Sequence, residues 1–441
     1  MPNGQNSPAL RAGGAMRSGL CTCLVTGLML AGTTGASASA QAPNPNASTV
    51  DAPQRASGYP TPGQPAAPAG DDQPSTTVAK QESDVRVATL HAGLSADSSA
   101  ELLEALQGGM DPSARMLAET VQINAPDVLV LTGVSYDESQ QITETLNQQY
   151  LSRGQNGQTG MQYPYTFTAP TNSGIDSGAD LDGDGRIGGP EDAIGYGRHA
   201  GERGMAVFSA HPIAEDEIRT FQEFLWQDMP GNAMPAGRFS ELEQSVLRLP
   251  STSMWDIPIE VPDQDKHVHV VATDLNSSPG SGALDTARNE DQRRLVADFV
   301  SDSSWYLYDD DGAYGGLDHG SSFVVAGGLA EERELLDFST EEVPELSTLL
   351  EGDALQDPAP QAITEEPLPE RRDPASDLQA TQGLDSGGAV RASYVLPAAA
   401  LDVEQTGVFW PAEGEFGYDL VDPDEPAAPA GRLVWLDIAG S

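Results

Sequence analysis

From residue 180 the chain reads Asp180-Leu181-Asp182-Gly183-Asp184-Gly185-Arg186-Ile187-Gly188-Gly189-Pro190-Glu191, with Asp at positions one, three and five, Gly at six and Glu at twelve. Calcium takes six to eight oxygens at flexible distances. This spacing offers three Asp side chains, the Arg186 carbonyl, a water near Gly188 and both oxygens of Glu191, while Gly185 permits the sharp turn. The expected cofactor is a structural calcium held by Asp180, Asp182, Asp184, Arg186 and Glu191. The flanking Gly and Pro argue against a helix on either side, so a lone surface loop is expected rather than a sensor. A second set that could do chemistry is His91, Asp274 and His269, which would offer two imidazoles and a carboxylate to a metal if gathered in one place. Histidines at such positions are more often hydrogen-bonded rim residues, and His267 and His269 alternate as ordinary strand positions do.

The elements that would position these residues follow from the hydrophobic pattern. Short β-branched runs at 85–90 and 128–131 predict two strands, and Leu102, Leu103, Leu106, Leu117 and Val121 give the stretch 98–123 between them a helical period. Further strands are expected at 204–208, 257–261, 267–272, 323–326, 392–396 and 433–438, with a helix at 290–300. Many strands with interspersed helices predict two packed sheets flanked by helices. Residues 331–388 are acidic and Pro-rich apart from a weak Leu pattern near 346–350, and are expected to form a long, partly ordered loop.

The wording of these runs resembles the endonuclease/exonuclease/phosphatase superfamily, in particular its large secreted bacterial members, from about residue 85 to 438. Tyr163-Pro164-Tyr165, Gly204-Met205-Ala206-Val207-Phe208-Ser209, Phe221-Gln222-Glu223-Phe224-Leu225-Trp226 and Trp255-Asp256-Ile257-Pro258 look like their counterparts in that family. The resemblance implies an α/β (α+β) sandwich, two mixed or antiparallel sheets packed face to face with helices outside. It also implies a divalent metal, a carboxylate to hold it and a base, all at strand ends.

The residues at those ends are not the ones the resemblance implies. The first strand normally ends in Asn, and here it runs into His91. The second normally ends in Asn-Glu, whose glutamate binds the metal, and here it ends in Thr132-Gly133. Asp274 stands where a site histidine is usual. Gly328, Leu329 and Ala330 replace an Asp-x-Asn, and Pro429, Ala430 and Gly431 replace Ser-Asp-His. Ser393 stands where an aspartate is usual. Thr252 and Met254 take the places of Lys and His before the Trp-Asp pair, and Arg432 alone does not make a phosphate site. The degenerate positions are thus His91, Gly133, Asp274, Gly328, Ala330, Ala430 and Gly431, no catalytic residue is assigned, and no catalytic magnesium or manganese is expected. The secreted relatives carry the same acidic loop.

Composition bounds the partners. Arg11 and Arg17, an apolar stretch at 20–31 and Ala38-Ser39-Ala40 give the order of a secretory signal over residues 1–40, too short and too rich in Gly and Thr for a bilayer span. Cys21 and Cys23, the only cysteines, fall in it, so the mature chain can form no disulfide. Residues 41–82 are dense in Pro, Ala, Ser and Gln, which predicts a disordered linker before a single domain at 83–439. The formal charge is −45 from 22 basic and 67 acidic residues, and loss of the leader's two arginines takes it to about −47. Polyanions bind by releasing counterions to Lys and Arg, so no nucleic-acid partner is expected. The expectation is a secreted, monomeric protein of the extracellular space or cell envelope with no integral membrane span and a ligand or partner that the sequence does not name. Three functions follow: a calcium-stabilised, catalytically inactive family member acting by binding or as an envelope component, a metal-dependent phosphoric ester hydrolase or nuclease with a relocated site, or an extracellular structural protein with no ligand in the old cleft.

Overall fold

The computed structural model describes residues 80–261, 267–275, 283–329, 347–350, 352–362, 378–383 and 389–439. The expected leader, all but the end of the linker, and most of 331–388 lie outside them. The larger sheet runs in the order β12 (Val403–Val408), β13 (Val434–Ile438), β1 (Val85–Leu94), β2 (Val128–Val134), β4 (Gly204–Ser209), β3 (Tyr165–Phe167). The second runs β11 (Ser393–Pro397), β8 (Ser322–Gly328), β7 (Val268–Asp274), β6 (Met254–Ile259), β5 (Arg219–Thr220), and β9 (Gln382–Gly383) pairs with β10 (Ala389–Val390) as a separate ribbon. Each main sheet has one parallel pair, β1 with β2 and β7 with β8, and every other pairing is antiparallel. The expected α/β sandwich of two mixed sheets is the observed architecture.

A parallel pair needs a crossover, and helices supply both. Between β1 and β2 lie α1 (Ser99–Leu106) and α2 (Pro112–Asn124), and α5 (Ala283–Phe299) lies between β7 and β8; α3 (Gln141–Leu146) and α4 (Glu241–Gln244) are short connectors. The predicted single helix over 98–123 is therefore two. Gly108 and Gly109 at positive φ break it, Asp111 accepts the Ala114 N–H as a new N-cap, and Pro112 starts the second helix.

Alternation along the strands explains why they read as continuous apolar runs. On β2, Val128 and Val130 face the other sheet, while Leu129 and Leu131 face α1 and α2. On β7 and β8, Val270, Ala272, Val324 and Ala326 face inward, whereas Val271, Phe323 and Val325 pack on Leu295, Val296 and Phe299 of α5. Both faces of the central strands are thus buried, as parallel strands require. Extended by two residues, the same parity turns Thr132, Asp274 and Gly328 toward the space between the sheets, and on β1 it does so for His91.

Candidate functional site

Parallel register brings these strand ends level. His91 lies opposite Thr132 across β1 and β2, and Asp274 lies opposite Gly328 across β7 and β8. The two pairs meet across the sandwich through one side chain. Thr132 Oγ1 is 3.0 Å from His91 Nδ1 and also hydrogen-bonds the Asp274 carboxyl. Thr132 is 1% and Asp274 6% exposed. The backbone of Gly431 donates to the His91 carbonyl at 3.0 Å, which adds the segment leading into β13 to the cluster. Ala430 is exposed beside it, and Ala330 lies outside the described residues.

The glycines show what has become of the space. Gly133 has φ +64, and a Cβ there would fall within the His91 imidazole; a Cβ at Gly328 would meet Asp274 Oδ1, and one at Gly431 would come within 2.9 Å of the His91 Cβ. Where the family resemblance implies ligand-bearing side chains, this chain has none, and His91 and Asp274 occupy the volume instead. Burial, helped by the nearby Arg203 charge, pushes His91 down to about 4. Burial also pushes Asp274 up to about 7, against the opposing pull of Arg203 and the Thr132 hydrogen bond. A neutral imidazole accepting at Nδ1 and a protonated carboxyl donating its proton can share the one Thr132 hydroxyl without conflict at mildly acidic pH. Arg203, one residue before β4 with its guanidinium 5.0 Å over the Tyr196 ring, was not singled out in the sequence; its place next to a matched strand start was the available signal.

These residues do not fit the divalent metal that the resemblance implies. Among the described residues at the strand ends Asp274 is the one carboxylate, its neighbour is a cation, and positions 133, 328 and 431 carry no side chain. His269 does not join them. It stands on the opposite face of its sheet, where its Nδ1 meets Asp256 Oδ1 at 2.8 Å. Arg432 is buried too, its guanidinium 4.8 Å over the Trp410 ring and donating to the Val421 carbonyl at 2.8 Å.

The acidic loop lies in the long connection from β3 to β4. Asp180 accepts from the Gly183 and Gly185 amides at 2.7 and 3.0 Å, Asp182 from Asp184 at 2.9 Å and Asp184 from Arg186 at 2.7 Å, with Gly183, Gly185, Gly188 and Gly189 all at positive φ. The carboxylates that gather are those of Asp180, Asp182 and Asp192, whose oxygens lie within 4.8 Å of one another. Asp192 follows the expected closing residue by one. It is 3% exposed and accepts from Leu181 at 2.6 Å and Gly188 at 2.9 Å, while Glu191 instead lines a small pocket with Tyr196, Trp226 and Arg288. Three convergent carboxylates around a glycine-built turn are a hard-oxygen donor set of the kind calcium takes.

The model of the endonuclease/exonuclease/phosphatase family matches residues 105–414. The chain belongs to this family. Among solved structures it is similar to an endonuclease/exonuclease/phosphatase from Beutenbergia cavernae DSM 12333, at 18% identity and TM-score 0.44 over 81% of this chain and 72% of that one. It is also similar to truncated Caenorhabditis elegans TDP2, at 11% and 0.40 over 81% and 97%, and to the human Nocturnin catalytic domain, at 12% and 0.41 over 82% and 97%. No curated protein matches. Among the described residues no helix is long and apolar enough to cross a membrane.

Proposed function

We propose that this chain is a secreted, calcium-stabilised family member that has given up the family's hydrolytic chemistry and acts by binding or as a component of the cell envelope. The observation that carries the reading is the packing of the strand ends. Hydrolysis of a phosphodiester needs a metal or converging cations, a base and room for the phosphate. Here His91 and Asp274 fill the floor and are bound to each other through Thr132, and the positions that would bear ligands are glycines. A relocated site could draw on His91 and Asp274 alone, since His269 faces the other way and is bound to Asp256. The charge of −45 argues against nucleic acid as the partner. Calcium is assigned to the loop from Asp180 to Asp192, with Asp180 and Asp182 as the residues common to the sequence spacing and the observed cluster.

The test is hydrolysis by the purified chain. DNA, RNA and bis(p-nitrophenyl) phosphate should remain uncleaved above background with magnesium or manganese. Turnover that Asp274→Ala abolishes would replace this reading with that of an enzyme using a relocated site.

A further inference from the structure

We propose that the hairpin carrying Trp305 and Tyr314 is a docking surface for a cationic, Arg- or Lys-bearing protein segment, independently of whether the old cleft is silent. Among the described aromatic residues these two are by far the most exposed, at 74% and 73%. They belong to one run of touching rings. Trp305 meets Tyr306 at 5.7 Å, Tyr306 meets Phe224 at 6.0 Å, Phe224 meets Tyr308 at 4.9 Å and Tyr308 meets Tyr314 at 5.8 Å. The inner rings are packed, and the two end rings are left to solvent.

The surface is built to be rigid. Tyr308 and Tyr314 form an antiparallel bridge, closed by Asp309 and Ala313 through a backbone hydrogen bond of 3.0 Å. Asp309 is 5% exposed and accepts from the Ala313 amide at 2.7 Å and from Arg219 at 2.6 Å. Asp310 ties the turn to the neighbouring segment by accepting from Thr220, Gln222 and Glu223 at 2.7 to 3.0 Å. A Cβ on Gly316 would come within 2.7 Å of the Ser304 Cβ, so the chain just before Trp305 and the chain just after Tyr314 run against each other. Large rings held in place lose little entropy on binding, which is why Trp and Tyr dominate protein contact sites.

Charge selects the occupant. Asp309 and Asp310 are used internally, but Asp302, Asp311 and Asp318 of the same segment are exposed, and the exposed Asp228 accepts from the Tyr308 hydroxyl at 2.8 Å. His319, 3.8 Å from Asp302, is the one basic residue between 301 and 320, and Arg219 is bound to Asp309 and to the Ala313 carbonyl. Exposed aromatic faces bordered by carboxylates favour a guanidinium or ammonium over an apolar or anionic group.

The experiment is anisotropy of a labelled ten-residue peptide of alternating Arg and Ser against the full chain at physiological salt, beside a soluble polysaccharide and a zwitterionic phosphatidylcholine vesicle. Binding of the peptide is expected, and Trp305→Ala with Tyr314→Ala, which leave the net charge unchanged, should weaken it by about three- to tenfold. Leu242→Ala removes an equally exposed apolar side chain elsewhere and should change nothing. Circular dichroism of each variant confirms that it is folded. Peptide binding that is absent, or that the two ring substitutions leave intact, would overturn the proposal, the latter by showing attraction to bulk negative charge alone. Ring-dependent binding of the polysaccharide or vesicle with none of the peptide would overturn it too.

Discussion

The strand ends between the sheets and the acidic loop between β3 and β4 both hold carboxylates, yet they treat them in opposite ways. At the strand ends a lone carboxyl, Asp274, is buried, pushed up to about 7 and engaged by a hydroxyl. In the loop, Asp180 and Asp182 are at least partly open to solvent and converge with Asp192 around a space that glycine turns create. One arrangement removes charge from a site, and the other concentrates it. The proposed reading, a folded family member without the family's chemistry, rests on this contrast, since a chain that had merely decayed would be expected to lose both arrangements.

The largest expected effect exposes the neutral lock at the strand ends. The folded chain holds the Asp274 proton up to about 7, whereas an unfolded Asp releases it near ~3.9, so stability falls as pH rises through that window, by at most about 4 kcal/mol. His91 works the other way. Its unfolded form takes up a proton below ~6.5 and the folded form resists to about 4, so stability falls as pH drops through that range, by at most about 3 kcal/mol and less for its partial exposure. The two slopes oppose each other in the native chain. Relative to it, Asp274→Asn should gain stability as pH rises from 4.5 to 7.5, and His91→Gln should gain as pH falls. Urea melts across that range decide it, and parallel pH profiles for all three proteins would mean that neither group is held neutral.

The next effect asks whether the glycine and the imidazole are fitted to one another. Gly133→Ala places a Cβ against the His91 ring at φ +64 and should cost about 2–4 kcal/mol. Adding His91→Ala should make the double variant less destabilised than the sum, by about 1 kcal/mol or more. Strict additivity in a double-mutant cycle would separate the two positions.

Most of the fold was legible, and the reasons for the exceptions are local. Runs such as 128–131 and 323–326 are buried on both faces and could hardly be missed. β12, Val403-Glu404-Gln405-Thr406-Gly407-Val408, is a polar edge strand, and β5, β9 and β10 have two residues each, too few to show a period. At the site, the strand ends were singled out through the family resemblance, but their contact through Thr132 was not, since nothing in a sequence says that two sheets' inward faces meet at that level. The alternation that placed His267 and His269 on a strand already held the answer for His269. Asp274 lies five residues on along the same strand, an odd step, so His269 had to face the other side. In the loop the spacing named Glu191, whereas the carboxylate that gathers with Asp180 and Asp182 is that of the next residue, Asp192, held there by the Leu181 and Gly188 amides.

A smaller effect sharpens the loop's side of the comparison. Calcium loops of extracellular modules typically bind with constants of ~0.1–1 mM, so about 1 mM calcium should stabilise the fold by about 0.4–1.4 kcal/mol. Asp182→Ala should abolish the calcium-dependent rise in Tm, while its Tm in chelator stays close to that of the native chain or above it, since crowded carboxylates repel. Comparing Asp192→Asn with Glu191→Gln identifies the closing ligand by which one removes the shift. No shift in the native chain would make the loop an acidic turn without a cation.

One titration sets the two regions against each other directly. Calorimetric titration of the chain with calcium and then with manganese should reveal a single divalent site, lost in Asp182→Ala and unchanged in Asp274→Ala. A manganese site that survives Asp182→Ala and disappears in Asp274→Ala would place a working metal centre at the strand ends and contradict the reading of this chain as catalytically silent.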